Sequence, residues 1–402
     1  MDFKGRCINF ELWFVNEDKQ DMDEIYATSE YLIKKDIDKA VRDGCNAVIG
    51  LLLYEGFLYK DHDDFYNLLA RVQKYGIRKG IKKFSLVCGI VWDYAKKLKD
   101  RGLDYDIIEF DYSANAMWQS YSTNFIPSWH PSTGKFLFLG GVPSRTNRIN
   151  LLSKFHDADM LNYEKSIWSF FTPTTDDEKK KCRNMLQHYS DREYREFVDR
   201  AENSVDNKYV NAKEYSTASG KEWKKKLFLE TEFVKDPNFI TQSVYINTSI
   251  SVIAEGHVYP PAWDTRFLTE KTWRAVVNRH PFIIADDPLR KNFARERGLT
   301  TFDEFFVADY NGTSQLDGVV TNVKHFLDTC EQQQDRIQEG IDKNFRAFFD
   351  IINKNESTME YLRLRYKIPK EEISKWFRQK SFDHLFRIPD AIHTKRRNLH
   401  GS

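Results

Sequence analysis

The sequence predicts an α/β protein built on parallel sheets, and three observations predict it. Near-continuous apolar runs at Asn46 to Tyr54, Lys83 to Val91 and Lys135 to Leu139 have the composition of strands covered on both faces. Helical segments alternate with these runs, as strand–helix–strand units require. At 402 residues the chain is long for a single core, which makes two domains the expectation.

Taken in order, the first strand begins at Cys7 and a helix follows over Ile25 to Arg42. The run Asn46 to Tyr54, a helix over Phe65 to Tyr75, the run Lys83 to Val91 and the short strand Asp106 to Phe110 complete the first domain, 1–130. The Pro- and Gly-bearing stretch Pro127 to Gly134 marks the crossing. Lys135 to Gly141, a strand ending in two glycines, opens the second domain, 131–315. A helix with Arg145 and Arg148 near its start comes next. Thr172 to Trp223 is charged and helical, with a loop from Asp206 to Lys221. Strand character resumes at Leu227 to Thr231 and Val244 to Val252, and again at Phe282 to Ala285. From Leu316 the pattern is helical: 316–402 is expected to be a helical extension packing back on the core, with amphipathic spacing from Gln332 to Ile352 and another helix over Glu371 to Phe377.

Composition narrows the function. Lys+Arg number 61 against 60 Asp+Glu, a net charge of +1, so no overall basic field draws the chain to nucleic acid. Any such binding rests on local patches: Lys179 to Lys181, Lys224 to Lys226 and Lys395 to Arg397. Short Lys runs are also common on solvated surfaces. The five cysteines include no CxxC pair, which argues for a reducing compartment and against a zinc site. There is no signal-peptide core and no apolar run near the ~20 residues of a membrane span. A cytoplasmic location without membrane contact is expected.

The chemistry gathers in the second domain. Thr269 is a good helix N-cap, and Trp273, Val276 and Val277 form an apolar stripe behind it. Lys271 and Arg274 then place two cations in the first turns, where the helix dipole is already positive. That arrangement costs a few tenths of a kcal/mol per charge unless an anion binds there (roughly, from the dipole magnitudes). The alternative is a surface ion pair between Glu270 and Arg274 at i,i+4, with Lys271 solvated. A second cationic turn, Gly140 to Arg148, has glycines that let backbone approach a phosphate and arginines that fork onto it. With one α/β domain on either side, a cleft along the carboxyl ends of the strands is expected.

The segment Phe267-Leu-Thr-Glu-Lys-Thr-Trp-Arg274, with Glu255 before it and Pro281-Phe-Ile-Ile and Gly298-Leu-Thr-Thr-Phe302 after it, resembles the donor block of GT-B-fold glycosyltransferases. Its nearest likeness is to phage-encoded glycosyltransferase-like proteins, and more distantly to α-1,3-fucosyltransferases. Lys135 to Leu139 and Pro143 to Arg148 resemble the first strand and turn of the same domain. The likeness covers 135–310; the first 130 residues have none. It implies two Rossmann-like domains facing a cleft, and metal-independent transfer from a nucleotide sugar without a further cofactor. UDP is favoured over GDP on frequency alone. It also implies donor contacts from Arg145, Arg148, Glu255, Thr269, Glu270, Lys271 and Arg274. Glu270 would accept from the ribose hydroxyls, and the cations would neutralise the departing diphosphate. Glu255 reads equally as a loop carboxylate. Asp286-Asp287 before Pro288 reads as a turn rather than a metal site. The insertion 256–266 can cover donor or acceptor.

The general base is expected in the first domain, past strand ends: Glu55 and Asp93, with Asp111 and the Asp61-His-Asp-Asp64 run behind them. The acceptor stays open. A hydroxymethylated base in phage DNA, exposed by flipping and stacked on Trp118, Tyr121 or Trp129 in the host cytoplasm, is the first expectation. A glycan or lipid-linked sugar competes with it. A non-catalytic nucleotide- or DNA-binding protein on the same scaffold is the reading from another class.

Overall fold

The computed structural model describes residues 2–10, 22–52, 63–89, 92–120, 129–139, 146–162, 164–169, 176–187, 189–196, 245–254, 268–285, 288–310 and 315–385. The chain is α/β and divides into two compact units. Unit 1 is Met1–Gln119 with Asp350–Ser402, and unit 2 is Ser120–Phe349.

Unit 1 contains β1 (Gly5–Asn9), α1 (Met22–Arg42), β2 (Ala47–Leu51), α2 (Asp63–Arg78), β3 (Lys83–Cys88), α3 (Trp92–Asp100), β4 (Asp106–Glu109) and α4 (Tyr112–Ser120). The strands are all parallel and lie in chain order, β1-β2-β3-β4. One face of the sheet carries Ile8, Val48, Phe84 and Leu86 against Ile33 and Ile37 of α1 and Leu68, Leu69 and Val72 of α2. The other face, with Cys7, Ile49, Leu51 and Val87, is covered by Leu362, Tyr366, Ile373 and Phe377 from the C-terminal helices. The two covered faces explain the apolar runs. A polar pair closes this second face: the hydroxyls of Ser85 and Tyr366 lie 2.5 Å apart, both buried. Gly50 has a steric reason, because a Cβ there would fall 2.4 Å from the Phe10 ring.

Unit 2 contains β5 (Phe136–Leu139), α5 (Thr146–Asp157), β6 (Ser166–Ser169), α6 (Asp176–Met185), β7 (Ile250–Ile253), α7 (Glu270–Val277), β8 (Phe282–Ile284), α8 (Pro288–Glu296) and α9 (Leu316–Thr329). Its strands are also parallel, but their order is β6-β5-β7-β8. The chain leaves β5 to one side for β6, then returns past it to β7. The Phe155 ring of α5 stacks on Phe136 at 4.5 Å and meets Phe138 at 6.2 Å. On the opposite face, Tyr245 packs over Leu137, Leu139 and Ile167. The remaining helices are α10 (Gln334–Tyr366) and α11 (Lys370–Leu385); the residues of α10 belong to unit 2 through Phe349 and to unit 1 from Asp350. Among the described residues no helix is long and apolar enough to cross a membrane.

Two expected elements change. The strand read from Val244 to Val252 is shorter: β7 starts at Ile250, and Tyr245 and Ile246 form a helical turn before it. The reason is polar: the Thr248 backbone is committed elsewhere, its N–H to the Tyr245 carbonyl and its carbonyl to the buried His280 ring, rather than to strand pairing. The amphipathic helix read from Gln332 to Ile352 runs on to Tyr366, because its later turns bury Leu362 and Tyr366 on the unit 1 sheet. The expected strand Leu227 to Thr231 lies outside the described residues.

Candidate anion site in unit 2

A parallel sheet opens a crevice at its carboxyl edge where the chain reverses direction, and ligands bind there. Among the described strands, unit 1 has no reversal and unit 2 has one, between β5 and β7. The two helices that leave this point are α5, after β5, and α7, after β7. They are the two helices whose starts carry the cationic turns.

The start of α7 is built as its sequence predicts. Thr269 is the N-cap, extended at φ −84° and ψ 177°, and its hydroxyl accepts from the Lys271 amide at 3.2 Å. Glu270 is the first helical residue and Lys271, half-exposed, the second. The helix ends after eight residues. Asn278 caps it, donating its backbone N–H and its side-chain amide to the Arg274 carbonyl at 3.1 and 2.8 Å. Arg279 and His280 donate back to Val276 and Ala275, the paired bonds of a Schellman ending. Arg279 takes the left-handed position, φ 50°. Its side chain compensates, with an ion pair to Asp342 and a stack over Phe345 at 5.0 Å.

This short helix corrects the dipole argument. Arg274 lies in the last turn, where a cation is favoured rather than penalised, and only Lys271 stands at the positive end. Arg274 matters for another reason. Its side chain is buried, with 8% of the residue exposed, and its Nε has no hydrogen-bond partner. The guanidinium donates to the Tyr245 hydroxyl, a phenol that burial pushes up to about 12 against the lowering charge of Arg274. Among the described side chains no carboxylate pairs with Arg274; that of Glu270, four residues earlier, is not among them. A guanidinium cannot shed its proton, so burial leaves it charged at a cost of several kcal/mol (roughly, for an ion in a protein interior) unless an anion joins it.

The histidine that meets the Tyr245 ring edge-on at 5.4 Å is settled. Buried His280 meets the Thr248 carbonyl at 2.7 Å through Nε2 and the Ser251 hydroxyl at 2.8 Å through Nδ1. Burial lowers its pKa to about 4, so the ring is neutral and structural. The Asn278 Oδ1, also buried, has no partner. It sits four residues from Arg274 on the same helical face.

Arg148, the third residue of α5, is buried as well. The sequence reading missed two further buried cations, Arg290 and Lys291, early in α8. Their signal was present: Pro288 at a helix start just beyond a strand, followed by paired cations, repeats the pattern of the other two turns. Lys291 lies 3.2 Å from Asp303 and 4.0 Å above the Tyr310 ring. Burial pushes the Asp303 carboxyl up, but hydrogen bonds from Thr301, Tyr310 and Arg295 and the charge of Lys291 outweigh it and hold it below the usual range. All buried charged side chains of unit 2, among those described, are therefore basic: Arg148, Arg274, Arg290 and Lys291.

Other expected site residues fall differently. Glu55, Arg145, Glu255, Asp286, Asp287 and the insertion 256–266 lie outside the described residues, as do Asp61, Tyr121, Lys224 to Lys226 and Lys395 to Arg397. Asp93 is the second residue of α3, and its side chain is not among those described. Asp111 is corrected from candidate base to helix cap. Its Oδ1 accepts from the Ala114 amide at 2.8 Å, and its backbone N–H and C=O are both held by the Asn355 side chain. Trp129 is corrected from stacking platform to core: it is buried and its indole N–H donates to the Ser249 carbonyl at 2.8 Å. Lys179 and Lys180 are exposed on α6. Among the described residues no three His, Cys, Asp or Glu side chains come together as a metal site.

No protein-family model, curated protein or solved structure matches the chain.

Proposed function

We propose that the chain is a glycosyltransferase of GT-B type that holds the diphosphate of a nucleotide sugar at the chain reversal of unit 2. The observation that carries this reading is the buried guanidinium of Arg274, with an unpartnered Nε and no carboxylate beside it among the described side chains, on the helix that follows β7. An anion with several acceptor oxygens answers both its charge and its open donor. Lys271 at the positive end of α7 adds a dipole-aligned cation, and Arg148 stands on the helix that leaves β5. The resemblance of Thr269-Glu-Lys271 and its flanking segments to glycosyltransferase donor blocks supports a sugar as the transferred group. The bond from the anomeric carbon to the diphosphate breaks as the acceptor oxygen bonds to that carbon, and the hydroxyl's proton passes to a carboxylate base, for which Glu55 and Asp93 are the candidates. Fixed cations then stabilise charge that grows on the leaving group. Glu270 is the candidate ribose contact. The acceptor we put first is the hydroxymethyl group of a modified DNA base.

The test is direct. The protein is incubated with pooled UDP- and GDP-sugars and either hydroxymethylated DNA, unmodified DNA or oligosaccharides, and the products are weighed by mass spectrometry. A hexose or pentose increment on hydroxymethylated DNA alone is expected. An increment on oligosaccharide alone replaces the acceptor and keeps the transferase. No increment on any acceptor, with nucleotide binding retained, replaces the enzyme by a nucleotide-binding protein on this scaffold.

A further inference from the structure

Unit 1 carries a cavity of about 340 Å³ where β1 meets α11, lined by Arg6, Glu372, Lys375 and Trp376. Arg6 is the second residue of β1, which stands at one end of the described strand order. The other three lie on α11. Ile373 and Phe377 of that helix are buried against Cys7 and Ile49 of the sheet, and Trp376 packs partly on the same cluster. The helix is therefore seated by one stripe, and the three lining residues flank it. Arg6 places the cavity near the incoming end of β1. Parallel α/β sheets bind substrate at the outgoing ends of their strands, so this cavity is no part of such a site.

The charges of the lining stay apart. Glu372 and Lys375 are three residues apart, a spacing that permits an ion pair and forms one between Glu360 and Arg363 on α10. Among the described side chains Glu372 and Lys375 pair neither with each other nor with another group. Arg6 pairs with Asp43, just past α1, through one nitrogen, which uses one of the five N–H donors of a guanidinium. The dipole of α11 favours a carboxylate at Glu372, in the first turn. It gives no reason for Lys375 or for a partly exposed indole beside it.

Two acids and two bases balance here, so the site has no net charge but offers both signs. A simple anion would meet Glu372, and a simple cation would meet Arg6 and Lys375. An apolar molecule would strip water from all three charges. A zwitterion meets each of them with the opposite sign, its carboxylate matching the fork of a guanidinium. The volume lies at the small end of the range of about 300–1,000 Å³ for ligand sites, and the indole offers a face to an apolar or aromatic group.

We propose that this cavity binds a free α-amino acid with an apolar or aromatic side chain. Its carboxylate meets Arg6 and Lys375, its ammonium meets Glu372, and its side chain lies on Trp376. The inference stands on unit 1 alone and needs nothing from the anion site.

Binding is measured on the full chain, without nucleotide, by calorimetry and ligand-observed NMR. The probes are L-phenylalanine, L-tryptophan and L-leucine. Each is paired with its analogue lacking the ammonium and its analogue lacking the carboxylate; for L-phenylalanine these are 3-phenylpropionate and phenethylamine. Saturable binding of at least one amino acid is expected, with both of its analogues at least tenfold weaker. Glu372→Gln should weaken the amino acid about tenfold, one charge-assisted hydrogen bond, and leave the analogue without an ammonium unweakened. Lys375→Gln should weaken the amino acid roughly threefold, as an exposed charge pair does, and leave the analogue without a carboxylate unweakened. Three results overturn the proposal: no saturable binding of any of the three amino acids; an analogue binding as tightly as its amino acid; or Glu372→Gln binding the amino acid as wild type does.

Discussion

Replacing Arg274 by methionine separates a ligand-binding cation from a structural one, because the two roles give opposite signs in the unliganded protein. The substitution keeps most of the side-chain length and removes the charge. Removing it relieves a buried ion with no carboxylate partner among the described side chains, and replacing buried charge by apolar packing is neutral to stabilising by about 1–4 kcal/mol. Against that, the Tyr245 hydroxyl loses its donor, which costs about 1–3 kcal/mol. The two effects nearly cancel, so unfolding free energy should change by no more than about 1–2 kcal/mol, equivalent to roughly 2–8 °C in melting temperature for a domain of this size. Nucleoside diphosphate binding should fall much further. A charge-assisted hydrogen bond contributes about 1.5–3 kcal/mol, or roughly 10- to 150-fold in affinity. Urea unfolding and calorimetric titration with UDP and GDP measure both on the same samples. A loss above about 4 kcal/mol in unliganded stability with unchanged nucleotide affinity would instead make Arg274 a packed structural cation.

Two further outcomes follow from the same unit. His280 is neutral in the fold with its pKa lowered to about 4 by burial, against about 6.5 when unfolded. The unfolded chain therefore binds the extra proton first: the stability His280 contributes is complete above pH 6.5 and is lost as pH falls toward 4, up to an order of 3 kcal/mol. Urea midpoints across that range should fall more steeply for wild type than for His280→Gln; parallel curves would contradict this. At Gly318 in α9, a Cβ would fall 1.9 Å from the Asp309 carbonyl oxygen. Gly318→Ala should destabilise by about 3 kcal/mol, although alanine favours a helix by about 1 kcal/mol. Stabilisation in urea melts would show that the backbone contact yields.

Much of the fold could be read from the chain, and the particular failures have physical causes. β2, β3 and β5 announce themselves because both faces of each sheet are covered, which makes the strands apolar throughout. β6 does not: Ser-Ile-Trp-Ser is four residues with hydroxyls at both ends, and Ser166 turns its hydroxyl to the Asn162 carbonyl. Without β6 the strand order could not be deduced, and with it the reversal that singles out unit 2. The Thr269 cap was legible because capping is local. The length of α7 was not, because its ending depends on Arg279 holding a left-handed position through Asp342, 63 residues away. Asp111 and Trp129 were misjudged for the same reason: their partners, Asn355 and Ser249, lie 244 and 120 residues distant. The burial of Arg274 belongs to packing, and no sequence pattern encodes it.

The proposed site in unit 2 takes an anion of diphosphate type at the chain reversal. Titrating the full chain with UDP and GDP, and with uridine as the uncharged control, tests it most directly. Saturable binding of at least one diphosphate, no comparable binding of uridine, and at least a tenfold loss of affinity when Lys271 is replaced by alanine are expected. Equal binding of uridine and its diphosphate, or no binding of any of them, would contradict it.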